Sequence, residues 1–280
     1  MKTILAPTDF SKASLNAVNY AADLAVSVNA ELVLFNIVQI PMIAVSEINL
    51  PESVINDLVE LSARDLEELV IKLKKRTLNK IPITSEALPG SVEQQIESIA
   101  SREKPLAIVM GTKPGKSFER ALMGSTIFHT INHIPYPLLI IPENLSFSQI
   151  NKIGVACDFK NIADSLPSKT IKEWLTLFNA RLDIVYVTLN NSAFDAGQLS
   201  ESIALQNTFI DYKPQFHFLE GSNLSDELTA FAKQQRTDLM IIMPRTYGIL
   251  RIFHKKHTKE LLSHLQFPVL AIHELPSNHL

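Results

Sequence analysis

The chain has 280 residues, of which 46% are hydrophobic and 20% charged, with a formal net charge of −3, as is typical of a globular protein with two domains. The small net charge without a long basic run gives no reason to expect nucleic-acid binding, and no stretch approaches the roughly 18 uninterrupted apolar residues of a membrane span. A single cysteine, Cys157, excludes an internal disulfide framework, and the first apolar run is too short for a signal peptide, so we expect a soluble cytoplasmic protein.

Short apolar runs alternate with helical patterns along the first half of the chain. The runs predict buried strands at residues 3–6, 32–38, 81–87, 106–110 and 137–141. Apolar residues at helical spacing predict helices that begin near residue 11, span 51 to about 78, follow residue 91 and begin near residue 125. This alternation is typical of an α/β fold in which helices cover both faces of a parallel sheet.

The second half of the chain repeats these landmarks in the same order. Residues 153–159 match 4–10 in type, including an Asp-Phe pair, and 180–187 match 30–37. The runs at 241–243 and 268–272 match those at 108–110 and 137–141. A polar stretch without periodicity at 143–149 separates the copies, so we predict two tandem domains, 1–145 and 150–280.

A glycine-containing loop follows the fourth strand of the first copy. Gly111 and Gly115 come directly after the strand, and Gly124 and Ser125 stand where the next helix begins. Backbone N–H groups in such a loop, together with those of a helix N-terminus, bind phosphate oxygens well. The order of strand, loop and helix start therefore predicts a nucleotide phosphate site.

These residues resemble the universal stress protein family. The family's first strand ends in a sequence of the type found here at residues 7–11, Pro-Thr-Asp-Phe-Ser. Its nucleotide-binding members carry Gly, two residues, Gly, nine residues, then Gly-Ser/Thr, which Gly111, Gly124 and Ser125 match at the full spacing. At the position of the family's middle glycine this chain has Pro114, and Gly115 follows one position later. The substitution alters the loop, because proline fixes φ and lacks an N–H.

The resemblance implies two Rossmann-like domains, each with a five-stranded parallel sheet in the order 3-2-1-4-5. It also implies that ATP or a related adenine nucleotide, with or without magnesium, lies across the strand ends of the first domain. Asp9 would then lie near the ribose, Ile37 would contact the adenine, and the loop would hold the phosphates. The implied cofactor-binding residues are Pro7, Thr8, Asp9, Ile37, Met110, Gly111, Lys113, Gly115, Gly124, Ser125 and Thr126.

The second copy lacks the elements of this predicted site. Pro244 stands in place of Gly111, and Lys255 and Lys256 stand in place of Gly124 and Ser125, so we expect no nucleotide there. In the family the last strands pair between subunits, which implies that the two domains of this chain form an intramolecular pseudo-dimer, and leaves further association into homodimers open.

Each implied role has a structural alternative: Asp9 as an acid at a helix start, Ile37 as a core residue and Ser125 as an N-cap. We predict no catalytic or metal-binding residues and a nucleotide-responsive regulator of the stress response, with at most slow ATP hydrolysis. Two other functions stay open at this stage, an interaction module that binds no nucleotide and a slow nucleotidase.

Overall fold

The computed structural model of the chain describes residues 1–39, 51–113, 125–157, 166–189, 196–244 and 266–273. The chain divides into two compact units, one formed by Met1–Thr112 and Gly124–Phe147 and the other containing Ser148–Leu280. Among these residues, every helix is too short or too polar to cross a lipid bilayer.

The first unit is an α/β domain with five strands and four helices among its described residues. In chain order these are β1 (Lys2–Pro7), α1 (Lys12–Val28), β2 (Ala30–Val38), α2 (Glu52–Arg76), β3 (Ile83–Pro89), α3 (Val92–Glu103), β4 (Ala107–Thr112), α4 (Ser125–His133) and β5 (Leu138–Pro142). The strands are parallel and lie in the order β3-β2-β1-β4-β5. The strand order implied by the family resemblance is confirmed.

The core of this unit lies where α1 covers the sheet. β1 and β4 are buried along most of their length, as expected of central parallel strands. The buried face of α1 is rich in alanine, at Ala17, Ala21 and Ala25, and these small side chains let the helix axis approach the sheet closely. Ser11 caps the helix N-terminus, and Asn29 ends it in the left-handed conformation.

The second unit has the same strand order. Its described elements are β6 (Lys152–Ala156), α5 (Ser168–Phe178), β7 (Arg181–Leu189), α6 (Ala196–Thr208), a 3-10 turn (Ile210–Tyr212), β8 (Gln215–Gly221), α7 (Leu224–Gln235), β9 (Leu239–Ile242) and β10 (Val269–Ala271). The strands are again parallel and follow the order β8-β7-β6-β9-β10. The fold class is therefore confirmed for both halves, whereas the predicted pairing of the two domains stays a prediction.

The fourth strand differs between the units because of a proline. In the first unit β4 continues through Gly111 and Thr112, which pair with Ile141 and Pro142 of β5. In the second unit β9 ends at Ile242, and Pro244 follows two residues later. The pairing of β9 with β6 matches that of β4 with β1 when Pro244 is level with Thr112, so the predicted alignment of Pro244 with Gly111 is wrong by one residue. Proline cannot donate a backbone hydrogen bond, so the corresponding pairing does not continue.

α2 covers the sheet with only part of its length. Ser62, Leu66 and Leu73 are buried, but Leu58 and Leu61, which belong to the same leucine-rich pattern, are 43% and 57% exposed. The leucine pattern therefore contributes to the core only from about the middle of the helix onward. Periodicity identifies the helix correctly but does not reveal how far the sheet extends beneath it.

Candidate ligand site at the carboxyl ends of β1 and β4

β1 and β4 are the two strands between which the order of the first sheet reverses. The chain proceeds from β1 towards β2 and β3 on one side, and β4 and β5 lie on the other. Open α/β sheets bind ligands at this position, beyond the carboxyl ends of the strands. Leu5 pairs with Ile108, so continuing the register brings Pro7 level with Met110 and Thr8 level with Gly111.

The turn after β1 is organised by the hydroxyl group of Thr8. The Thr8 backbone N–H donates to the Phe35 carbonyl at 2.9 Å, which continues the pairing with β2 by one residue. Its Oγ1 accepts from the Phe10 N–H at 3.0 Å and lies 3.0 Å from the Ser14 Oγ on α1. Phe10 adopts a left-handed conformation with φ 59°, which allows the chain to enter the helix directly. Thr8 is therefore a buried structural residue of the turn.

Asp9, by contrast, is exposed at this edge of the sheet. Its Oδ1 accepts from the Ser11 N–H at 3.0 Å, just before the first turn of α1. Partial burial would raise the pKa of Asp9, but hydrogen bonds from Ser11, Ser14 and the backbone together outweigh this effect and lower it. Asp9 therefore presents an ionised carboxylate at neutral pH, a strong acceptor for hydroxyl groups.

A chain of side-chain hydrogen bonds connects this turn to α2. The Asn36 Nδ2 donates to the Thr8 carbonyl at 2.7 Å, and the Ser62 Oγ donates to the Asn36 Oδ1 at 2.7 Å. Sequence reasoning missed both residues. The available signal was a single amide side chain inside the otherwise apolar run 32–38, together with a serine within the apolar pattern of α2.

Ile37 follows Asn36 in β2. It lies two residues beyond Phe35, which pairs with Pro7, so Ile37 is level with Asp9 along the strands. Its side chain is half-buried. The extended register therefore places Ile37 and Asp9 near the same edge of the sheet, and the predicted contact of Ile37 with an adenine stays a prediction.

The end of β4 packs directly against the first turn of α1. A Cβ placed on Gly111 would lie 2.1 Å from the Ala13 carbonyl oxygen, far inside any permitted contact. Met110, one residue earlier, is buried, and its sulfur lies 4.0 Å from the Thr130 Oγ1 on α4. Thr112 is buried and Lys113 is exposed. Of these residues, Lys113 is the one whose exposed side chain can meet a ligand.

The remaining predicted site residues lie at or before the start of α4. Gly115 and Gly124 lie outside the described residues. Ser125 is the first residue of α4, and Thr126, the second, is half-buried, with its carbonyl accepting from the Thr130 Oγ1 at 2.8 Å. The described residues therefore contain the helix start of the predicted phosphate site but not its loop.

A second cation, which sequence reasoning missed, lies near this edge. Lys12, in the first turn of α1, is exposed and lies 2.9 Å from the Glu143 carboxylate just after β5. The Asn16 Nδ2 on the same helix donates to the carbonyls of Pro142 and Leu145, each at 3.0 Å. These bonds hold the start of α1 against the end of β5. Among the described residues, no group of histidine, cysteine and acidic side chains is arranged to bind a metal ion.

Comparisons with known proteins agree with this architecture. The sequence model of the universal stress protein family matches residues 1–142. A universal stress protein of Methanocaldococcus jannaschii is 30% identical over 144 residues, which represent 51% of this chain and 82% of that protein.

Solved structures extend the similarity to both halves of the chain. A universal stress protein from Archaeoglobus fulgidus has a TM-score of 0.71 at 16% identity, covering 97% of this chain and 98% of its own. A putative universal stress protein from Pseudomonas aeruginosa has a TM-score of 0.57 at 17% identity, covering 98% of this chain and 94% of its own. At these identities the similarity shows a common fold.

Proposed function

The chain belongs to the universal stress protein family, and from that premise we propose that its first unit binds ATP or a related adenine nucleotide. The proposed site lies beyond the carboxyl ends of β1 and β4. The observation that carries the proposal is the exposed, ionised carboxylate of Asp9 at the point where the strand order reverses.

The proposed ribose and base contacts follow from the positions of Asp9 and Ile37, which lie beyond neighbouring strands at the same edge of the sheet. A carboxylate oxygen accepts hydrogen bonds from both hydroxyl groups of a ribose, and a charged acceptor makes these bonds stronger than a neutral one would. Ile37, half-buried at the same level of the neighbouring strand, offers an apolar surface to the base.

The phosphates would lie towards α4 and Lys113. The N-terminus of α4 at Ser125 presents backbone N–H groups that have no partner within the helix and the positive end of the helix dipole. Lys113, exposed after β4, adds a cation, and Lys12 would add another by exchanging its surface ion pair with Glu143 for a phosphate. Nucleotide binding with or without magnesium is compatible with this arrangement.

We propose a regulatory role in the cytoplasmic stress response, with at most slow hydrolysis. The lowered pKa of Asp9 makes its carboxylate a weak general base near neutral pH, because efficient bases titrate close to the working pH. A site that holds nucleotide without consuming it quickly suits a protein whose state follows the nucleotide concentration.

Titration calorimetry with ATP and with its 2′,3′-dideoxy analogue tests the proposal. If Asp9 binds the ribose hydroxyls, the wild-type chain binds ATP about tenfold more tightly than the analogue, the effect of one or two charged hydrogen bonds. In Asp9→Asn this preference falls several-fold. Asp65→Asn, which changes an exposed acid on α2, keeps the wild-type preference. Absence of measurable ATP binding, with or without magnesium, contradicts the proposal.

One observation favours a second candidate, an interaction module that binds no nucleotide. Several residues of the proposed site already have structural partners: Asp9 accepts from the Ser11 N–H, Thr8 from the Phe10 N–H, and Gly111 makes room for α1. If this candidate is correct, the calorimetric titrations give no heat, and ATP leaves the melting temperature unchanged.

A further inference from the structure

The outward face of α2 carries a stripe of six exposed side chains, two apolar and four charged. They are spaced alternately by four and three residues, which keeps them on one face of a helix. We call them the α2 stripe: Asp57, Leu61, Arg64, Glu68, Ile71 and Lys75.

The α2 stripe does not contribute to the core of the first unit. Leu61 is 57% exposed and Ile71 is 55% exposed, although both are large and apolar. The opposite face of the helix carries Ser62, Leu66 and Leu73, which are buried. The helix therefore has one face for its own sheet and a second face that includes exposed apolar surface.

The order of residues in the α2 stripe is complementary about its centre. Two positions before and after residue 66 stand Arg64 and Glu68, a cation and an acid. Five positions away stand the two apolar residues, Leu61 and Ile71.

Nine positions before and after residue 66 stand Asp57 and Lys75, again opposite charges. Each charged member of the α2 stripe thus has a residue of opposite charge at the same distance on the other side of the centre, and each apolar member has an apolar residue there.

We propose that this face docks a second copy of the chain, with α2 packed antiparallel against α2 of its partner. In an antiparallel pair, residues at equal distances from the centre lie opposite each other, so every layer combines opposite charges or two apolar side chains. A parallel pair would place each residue opposite its own copy, which creates four layers of like charge. The charge order therefore selects the antiparallel, two-fold symmetric arrangement.

The ion pairs that α2 already makes do not oppose this docking. Arg64 lies 3.5 Å from Glu60 and Glu68 lies 3.8 Å from Lys72, and all four side chains are at least 70% exposed. Such surface pairs are weak and exchange partners readily. Since two apolar side chains per helix provide most of the burial, the association is expected to be weak and weakened further by salt.

Disulfide cross-linking tests the predicted neighbours. The native Cys157 is buried, so engineered thiols on α2 are the accessible ones. Chains carrying Leu61→Cys and chains carrying Ile71→Cys are oxidised separately and as a mixture. An antiparallel pair places position 61 opposite position 71, so the mixture forms the linked dimer much faster than either variant by itself. Equal rates in all three samples overturn the proposal.

Charge exchange, measured by sedimentation velocity on the full chain, tests the orientation independently. Arg64→Glu and Glu68→Arg each place like charges in two symmetric layers, and each raises the dissociation constant of the dimer about tenfold. The double variant restores opposite charges and regains most of the affinity.

Glu67→Arg is the matched control, because it reverses an exposed acid on the same helix outside the α2 stripe and leaves the dissociation constant unchanged. Circular dichroism confirms that each variant is folded. A wild-type chain that stays monomeric at millimolar concentration in low salt overturns the proposal. A dimer whose dissociation constant is the same in both charge-reversal variants as in the wild type also overturns the proposal, because it then forms through another surface.

Discussion

The backbone of Ala13 lies directly over Gly111, where the first turn of α1 crosses the end of β4. A Cβ at position 111 would lie 2.1 Å from the Ala13 carbonyl oxygen and 2.5 Å from the carbonyl carbon. Both atoms belong to the backbone, so a rotamer change cannot relieve the clash. The glycine therefore fixes how closely α1 approaches the sheet, and with it the position of the turn that carries Asp9.

We predict that Gly111→Ala destabilises the chain by about 3 kcal/mol, since overpacking against backbone forces the helix to move. Urea unfolding followed by circular dichroism measures this change. Gly154→Ala is the control, because its Cβ would meet the Met240 sulfur at 2.9 Å, at the flexible end of a side chain that can move aside. Equal destabilisation by the two variants would show that the contact with Ala13 is not what requires glycine.

The fold was predictable from the sequence because each element carries a local signal. Buried parallel strands are continuous apolar runs, and α1 has apolar residues at helical spacing after a serine cap. The repeat then made the second copy of the sheet predictable from the first.

The site was predictable only where the family motif names a residue. The motif names Asp9 as a candidate, whereas it gives no indication of Asn36 and Ser62, because their hydrogen bonds to Thr8 and to each other join residues more than 25 positions apart in the chain. The reason for glycine at position 111 is a contact with a residue almost 100 positions earlier. Such contacts are properties of the folded chain and leave no local pattern.

We predict that Ser62→Ala lowers the free energy of unfolding by about 1 kcal/mol, the usual effect of losing one buried hydrogen bond. The change leaves the Asn36 Oδ1 without its 2.7 Å donor and frees the amide that holds the Thr8 carbonyl. Urea unfolding measures the loss. Ser53→Ala, at an exposed position of the same helix, is expected to have almost no effect.

The second unit contains a buried acid whose partners offer another test. Asp183 on β7 is 1% exposed, and its carboxylate lies 3.6 Å from the Lys152 Nζ and 3.3 Å from the His217 Nε2. Lys152→Met removes a cation and leaves the buried carboxylate poorly compensated, so we predict a loss of about 2 kcal/mol in the free energy of unfolding.

The double variant Lys152→Met/Asp183→Asn should recover most of this loss, because the uncompensated charge is then gone. Thermal and urea unfolding of the wild type, both single variants and the double variant give the coupling between the two residues. Additive effects would mean that Lys152 does not compensate the charge of Asp183.

The last prediction concerns how the ionised carboxylate of Asp9 makes the stability of the chain depend on pH. Hydrogen bonds from Ser11, Ser14 and the backbone outweigh the effect of partial burial and hold the pKa of Asp9 below its ordinary value. An acid whose pKa is lowered by folding stabilises the folded state when ionised, and this contribution is present above the unfolded pKa of about 3.9. It disappears as the pH falls through the lower, folded-state pKa. We therefore expect Asp9→Asn to be less stable than the wild type at pH 7, and the difference to shrink as the pH falls below about 3.9, in urea unfolding at each pH. For Asp65→Asn, an exposed acid on α2, we expect little difference from the wild type at either pH. If Asp9→Asn instead matched the wild type at pH 7, the hydrogen bonds around Asp9 would not stabilise its ionised form. They would then not hold the carboxylate ready to accept hydrogen bonds from a ribose.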